Sequence, residues 1–172
     1  DIIDKCIIGG MLGNSTELES FVKQRYIWVS RITGGAQANS LGQLSQNYVQ
    51  EYLEKKLPGW RINKDQLPNV SQNKRTALAV DIVVKSPKGK YCAIEVSFQV
   101  TTNSTIERKS GQARDRQKLL HSKGHKIAYV IGGAGNFARQ SALKTILQYS
   151  DCSVSFNDHE LDKLVSFLKK MK

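Results

Sequence analysis

Two apolar segments in the middle of the chain, joined by a short turn, constrain its fold more than any other feature. Residues 77–84 read ALAVDIVV and residues 92–100 read CAIEVSFQV, with Pro-Lys-Gly at 87–89 between them. In the second segment apolar side chains alternate with small or polar ones, as in a strand that lays one face on a core. The pattern predicts a β-hairpin with strands over 77–86 and 90–100.

The turn sets the register of this hairpin. A three-residue loop at 87–89 suits a left-handed backbone at its last residue, which glycine tolerates. Ser86 then pairs with Lys90, and Asp81 lies opposite Glu95. Directly opposed residues share one face of a sheet, with Cβ atoms about 5 Å apart. Two carboxylates so placed repel each other, and their burial is costly unless positive charge compensates.

Three explanations account for this acid pair. One carboxyl is protonated, a neighbouring lysine or arginine pairs with both acids, or the two acids hold a divalent cation. We favour the divalent cation, because Mg²⁺ takes hard oxygen ligands, typically one or two carboxylates together with water and phosphate.

Outside the hairpin, the periodicity of apolar residues predicts alternating helices and strands. The predicted elements are a helix over 39–57 that ends at Pro58-Gly59, a strand at 60–63, the hairpin, a helix over 104–122, a strand over 126–133, a helix over 137–149, a strand over 152–156, and a last helix that begins at an Asn157/Glu160 cap pair. A hairpin followed by crossovers predicts an α/β fold with a mixed central sheet flanked by helices.

The first forty residues are less regular. They contain a short helix signal after a Ser15–Thr16 cap, with Glu19 three residues beyond, and then a glycine-containing connection. We therefore expect an N-terminal segment over 1–38 and one main domain over 39–172. The chain begins at Asp1 without Met, which is compatible with a piece of a longer protein.

Charge and cysteine content bear on the partner and the compartment. The formal charge of +11, from 26 Lys+Arg against 15 Asp+Glu, suits a polyanion such as nucleic acid, although basic surfaces also occur without one. The three cysteines are widely spaced without a CxxC pair, which favours buried free thiols in a reducing cytosol. No apolar run reaches the roughly 18 residues that span a bilayer, and no signal peptide is visible.

The hairpin and its acids, followed by a helix and a further strand, resemble the PD-(D/E)xK nuclease superfamily and, within it, the type II restriction endonucleases. The resemblance covers about 39–154 and rests on AVD ending at Asp81 and on IEVS, which contains Glu95. It implies a restriction-endonuclease-like α-β-β-β-α-β core with extra elements. It also implies that Asp81 and Glu95 bind Mg²⁺ for phosphodiester hydrolysis in double-stranded DNA, in a cytoplasmic homodimer.

The chain departs from the superfamily pattern at one position. A lysine that helps to activate water usually stands two residues after the second acid, and here that residue is Ser97, with Gln99 continuing the strand face. Lys109, early in the following helix, is the predicted substitute; the alternative is a solvated residue on a basic helix. Related nucleases often carry a glutamate on the leading helix, and that place is Gln46 here, with Glu51 beyond it; both also fit a solvent-facing surface.

Predicted DNA contacts lie on the same helix. Thr102, Asn103 and Ser104 lead into its N-terminus, whose free N–H groups favour a phosphate, although an ordinary helix cap explains them equally well. A basic backbone-binding face, or a solvated surface, is formed by Arg108, Arg114, Arg116 and Lys118. The basic loop at 64–76 is a further candidate contact.

Glycines at 132–133 precede a helix without the spacing of a phosphate-binding loop, so IGGAGN (131–136) is interpreted as a tight strand-to-helix turn. The expected function is a Mg²⁺-dependent DNA endonuclease of the type II restriction class. Two alternatives remain: a repair or recombination nuclease of the same fold, and a DNA-binding module that has lost catalysis.

Overall fold

The computed structural model describes residues 14–16, 41–63, 66–71, 77–100 and 104–171. The chain divides into two units, Asp1–Ser40 and Leu41–Lys172. In the first unit, Ser15 and Thr16 are themselves helical rather than preceding the helix, and the remainder of the predicted helix lies outside the described residues. The predicted division of roles between 1–38 and 39–172 stays a prediction.

The second unit is built on a five-stranded sheet in the order β1-β2-β3-β4-β5. Its elements are α1 (41–56), β1 (Arg61–Asn63), β2 (Ile82–Lys85), β3 (Tyr91–Phe98), α2 (Thr105–Ser122), β4 (Lys126–Gly132), α3 (Ala134–Phe137), α4 (Gln140–Gln148), β5 (Cys152–Val154) and α5 (Asp158–Lys169). The pairs from β1 to β3 are antiparallel and those from β3 to β5 are parallel. The predicted α/β fold with a mixed sheet and an α-β-β-β-α-β core is confirmed.

Helices cover both faces of the sheet. On one face, α1 and α5 pack against side chains that include Ile94 and Val96. On the other face, α2 and α4 pack against side chains that include Val83 and Ala93. Strand side chains alternate between faces, so Glu95 belongs with Ala93 on the α2 side. Burial on both faces of β3 explains why this strand is more apolar than a half-exposed one.

The register of the β2–β3 hairpin is confirmed. The backbone N–H of Ser86 donates to the Lys90 carbonyl at 2.8 Å, and Gly89 has φ +79°. The pairs run from Lys85 with Tyr91 to Ile82 with Ile94. Local turn chemistry therefore placed the acid-bearing segments side by side, as expected from the loop length.

The predicted first hairpin strand is too long. β2 begins at Ile82, Asp81 lies in a bend, and Ala77 makes only an isolated bridge with Ser71. If the ladder continued, the N–H of Val96 would bond to the backbone carbonyl at position 80. Instead, Asp81 Oδ2 accepts this N–H at 2.8 Å. Because the Asp81 carboxylate accepts the N–H that the next backbone pair would use, the regular β2–β3 ladder ends next to Asp81 and Glu95.

Other predicted boundaries move by smaller amounts. The predicted helix over 137–149 corresponds to α4, which begins only at Gln140, because the backbone at Arg139 is not helical and Phe137 is the last residue of a separate short helix, α3. The predicted strand over 152–156 ends at Val154. The predicted strand over 90–100 ends at Phe98, and Val100, whose alternation with polar neighbours predicts a core position, is 65% exposed. The predicted cap is present, because Asn157 Oδ1 accepts the N–H of Glu160 at 2.9 Å.

The turn after β4 is as tight as expected. Gly133 has φ +85°, and a Cβ atom there would lie 2.1 Å from the Gln99 carbonyl oxygen. Only glycine fits both conditions. Cys92 is buried and Cys152 is partly buried, both as free thiols, and burial raises the pKa of Cys152 to about 11. Among the helices described, none is long and apolar enough to cross a membrane.

Candidate active site

The two acids meet through a lysine. Asp81 precedes β2, Glu95 lies in β3, and Lys109 stands one turn into α2. Lys109 Nζ lies 2.7 Å from Asp81 Oδ2 and 2.6 Å from Glu95 Oε2. It also donates to the Val96 carbonyl oxygen at 3.0 Å. Three oxygens from two strand segments thus converge on one ammonium group. The pairing of one cation with both acids, left open by the sequence, is present.

The remaining oxygen of each acid has a donor of its own. Gln46 Nε2, from α1, donates to Asp81 Oδ1 at 2.9 Å. Arg116 Nη1, from α2, donates to Glu95 Oε1 and, at 3.1 Å, to the Ala79 carbonyl oxygen. Both carboxylates are therefore held on both oxygens, which fixes their orientation.

Pairing explains how these charges tolerate burial. The side chain of Glu95 is 5% exposed, and those of Lys109 and Arg116 are 12% and 15% exposed. Asp81 is more accessible at 23%. Two carboxylates and two cations make the cluster neutral, and buried charges are retained in proteins when they are paired in this way.

Helix periodicity brings both cations to the acids. Lys109 and Arg116 are seven residues apart, close to two turns, and so lie on one side of α2. The buried residues Ile106, Ala113 and Leu120 repeat at the same interval and pack on the sheet. The cationic pair forms the neighbouring stripe, which faces the strand ends.

Ser97, at the usual lysine position, has a different partner. Asn136 is fully buried, and its Nδ2 donates to the Ser97 carbonyl at 2.9 Å, to Ser97 Oγ at 3.0 Å and to the Gly132 carbonyl at 2.9 Å. This amide ties the end of β3 to the end of β4. Sequence reasoning missed Asn136; its one signal was a polar residue inside the glycine-rich turn.

Gln99 lies beyond Ser97 at the end of β3. It is 8% exposed, and its Oε1 has no hydrogen-bond partner among the residues that the structure describes. Its backbone N–H donates to the Gly132 carbonyl, and its carbonyl accepts from Gly135. The structure therefore brings Asp81, Glu95 and Lys109 into contact and places Ser97 and Gln99 further along the strand.

The predicted DNA contacts are distributed over two sides of α2. Arg108, Arg114 and Lys118 are exposed, whereas Arg116 is turned inward onto Glu95. Ser104 stands at the N-cap position, is exposed and makes no side-chain cap hydrogen bond. Thr102 and Asn103 lie outside the described residues, as does much of the loop at 64–76. Glu51 is exposed on α1.

A tyrosine forms the wall behind Glu95. Tyr129 is paired with Glu95 in the β3–β4 register and is 1% exposed. Burial, followed by the nearby Glu95 carboxylate, raises the pKa of Tyr129 well above its usual value. Its hydroxyl group is therefore neutral at ordinary pH and adds no charge to the site.

The oxygens around Lys109 also fit a divalent metal. Within the described ranges no group of three or more His, Cys, Asp or Glu residues gathers. The donor set here is Asp81 Oδ2, Glu95 Oε2 and the backbone oxygen of Val96, and these already surround a cation. Hard, partly anionic oxygens of this kind match the ligand preference of Mg²⁺.

The sheet order, with an acid on each segment of its central hairpin and flanking helices, places this unit among the restriction-endonuclease-like α/β domains. Comparison with known proteins narrows the assignment. Residues 15–172 match the family model described as BanI C-terminal domain, and the chain belongs to this family.

Two curated relatives are similar over almost the whole chain. Type II restriction enzyme HgiCI from Herpetosiphon aurantiacus is 46% identical over a matched region that covers 98% of this chain and 50% of that protein. Type II restriction enzyme BanI from Aneurinibacillus aneurinilyticus is 45% identical over a matched region that covers 98% of this chain and 48% of that protein. The chain thus spans about half the length of the curated relatives it matches.

Proposed function

We propose that this chain is the nuclease domain of a type II restriction endonuclease that hydrolyses phosphodiester bonds in double-stranded DNA with Mg²⁺. The observation that carries the proposal is the convergence of two carboxylates and a backbone carbonyl on Lys109 Nζ, at 2.6–3.0 Å. Metal ligands and a lysine are the groups that such hydrolysis needs, and here they share one cluster. The names of the two relatives support the same class.

Each residue of the cluster has a distinct task in this proposal. Asp81, Glu95 and the Val96 carbonyl would hold the metal, which when bound polarises the scissile phosphate and acidifies a bound water. Lys109 orients the attacking water and stabilises the negative charge that develops on the phosphate. Gln46 keeps Asp81 turned toward its partners through the hydrogen bond to Oδ1.

The two remaining predicted catalytic residues have lesser tasks. Because Asn136 holds Ser97, we assign Ser97 to positioning the end of β3. Gln99 has an unpartnered side-chain oxygen among the described residues, which makes it a candidate to order water at that end of the strand.

DNA binding is assigned to the exposed side of α2. Arg108 and Arg114 would contact phosphates, and Thr102, Asn103 and Ser104 would present the helix N-terminus to the backbone. We further propose a homodimer, in which each copy cuts one strand, that acts on DNA in the cytoplasm.

A plasmid cleavage assay with and without Mg²⁺ tests this function. Discrete fragments that require Mg²⁺ support a restriction enzyme, end-trimming supports a repair nuclease, and binding without cutting supports a module without catalysis. Asp81→Ala and Glu95→Ala should abolish cleavage while the protein stays folded. Glu54→Ala, which removes an exposed carboxylate on α1, is the matched control and should cut normally. Normal cleavage by either acid variant would refute the site.

A further inference from the structure

We propose that Arg116 is a positioning residue that sets the separation of the two acids, rather than a DNA contact. This inference rests on the proposed function of the site. Its basis is a bridge made by one guanidinium nitrogen: Arg116 Nη1 donates both to Glu95 Oε1 and to the carbonyl of Ala79.

The bridge joins the two segments that carry the acids. Ala79 lies two residues before Asp81, in the stretch where regular pairing with β3 has ended. Without ladder hydrogen bonds to β3, the position of this stretch relative to β3 depends on side-chain contacts. Arg116 supplies one such contact, and Asp81 Oδ2 with the N–H of Val96 supplies another. Removing the arginine leaves the segment before β2 with one fewer link to β3.

Arg116 also selects which oxygen of Glu95 faces Asp81. By occupying Oε1, it leaves Oε2 for the cluster around Lys109, 2.6 Å from Nζ. Because Arg116 Nη1 also donates to the Ala79 carbonyl and belongs to a planar group with fixed donor directions, it restricts the rotation of the Glu95 carboxylate. The orientation of Glu95 is therefore set from one side by Arg116 and from the other by Lys109.

The position of Arg116 argues against the phosphate contact that its sequence context predicts. Its side chain is 15% exposed and engaged with two acceptors. Arg114 is exposed, and at 3.6 residues per turn the two lie roughly 200° apart around α2. Arg114 therefore offers a matched comparison: the same residue type, on the same helix, two positions away.

The test compares Arg116→Met, Arg116→Lys and Arg114→Met. We expect kcat for cleavage in Mg²⁺ to fall by about a hundredfold in Arg116→Met, since a displacement of about 1 Å can cost that much, while KM changes by less than about twofold. Arg116→Lys should retain about a tenth of wild-type kcat, because an ammonium on a flexible stem keeps the charge but not the fixed donor directions of the planar guanidinium group.

DNA binding without divalent metal gives the second measurement. The slope of log affinity against log salt should be unchanged in Arg116→Met and should flatten by about 0.9 in Arg114→Met, as for one lost phosphate contact. Thermal unfolding shows which variants are folded at the assay temperature. If Arg116→Met is unfolded at that temperature, the kcat and the salt slope of Arg116→Lys test the proposal instead, because this variant retains the positive charge.

Two results would overturn the proposal: wild-type kcat in Arg116→Met, or a flattened salt slope in Arg116→Met with raised KM and normal kcat. The second would return Arg116 to the DNA contacts. Neither result would contradict the proposed nuclease function. That function is refuted by different results, namely that the wild-type protein does not cut DNA or that Asp81→Ala still cuts it.

Discussion

Replacing Lys109 with methionine should have two opposite effects, because its ammonium and a metal would use the same oxygens. Methionine approximates the four-atom apolar stem of lysine and removes the charged ammonium group. The lost contacts are those to Asp81 Oδ2, Glu95 Oε2 and the Val96 carbonyl, at 2.7, 2.6 and 3.0 Å. Cleavage should fall by at least about a hundredfold, or about 2.7 kcal/mol, because no other lysine takes part in the described cluster.

The affinity of Lys109→Met for a divalent metal should increase. In the wild type the ammonium must leave these oxygens before a metal can bind to them, and a hydrogen bond involving a charged group contributes about 1.5–3 kcal/mol. Allowing for partial exposure, we take the lower end and expect Lys109→Met to bind Mn²⁺ about tenfold more tightly than the wild type.

The assay is a Mn²⁺ titration in the absence of DNA, in which the free ion is followed by its electron paramagnetic resonance signal. Lys118→Met, at an exposed position of the same helix, removes the same charge without touching the cluster and should leave Mn²⁺ affinity unchanged. Equal or weaker Mn²⁺ binding by Lys109→Met would refute the reasoning that lysine and metal compete for one set of oxygens. Loss of cleavage by Lys109→Met would not by itself support competition between the lysine and the metal.

Three further predictions concern the hydrogen bonds of Gln46 and Asn136 and the ionisation of Asp151. Gln46→Ala removes the donor to Asp81 Oδ1 and should lower kcat, measured at saturating DNA, by about tenfold. Its DNA affinity, measured in a separate binding titration, should be unchanged. Asn136→Ala leaves buried carbonyls without their donor and should lower the free energy of unfolding by about 2–4 kcal/mol in a urea titration; a loss below about 1 kcal/mol would contradict this. For Asp151, burial raises the carboxyl pKa, but hydrogen bonds, led by that of His121, outweigh it and leave the pKa below its usual value of 3.8. A lowered pKa in the folded state stabilises the protein above the ordinary carboxyl pKa, and this stabilisation is lost as pH falls through the lowered value. Asp151→Asn should therefore lower Tm near neutral pH, with the difference from wild type shrinking below pH 3.8 in calorimetry; a constant difference would refute the assignment.

Several features followed from the sequence because their causes are local. The β2–β3 register depends on the Pro-Lys-Gly loop and on Gly89, whose backbone conformation few other residues adopt. The cap at Asn157 depends on residues three positions apart. The proximity of the two acids was predicted for the same reason, because the turn and the ladder that ends at Ile82–Ile94 bring the residue before β2 next to Glu95.

Other features depend on contacts between residues far apart in sequence, which no local pattern encodes. The sequence showed a basic helix but not that Arg116 turns inward while Arg114 stays exposed, because that division depends on how α2 lies on the sheet. The early end of β2 depends on the Asp81 carboxylate taking the N–H of Val96. Lys109 was a candidate by its spacing from the acids, yet only the packing of α2 against β3 brings its ammonium within 3.0 Å of oxygens from both segments. The sequence by itself determined which residues could form a charged site, and the tertiary structure decided which cation pairs with which oxygen, because long side chains adopt the partners that packing brings within hydrogen-bonding distance.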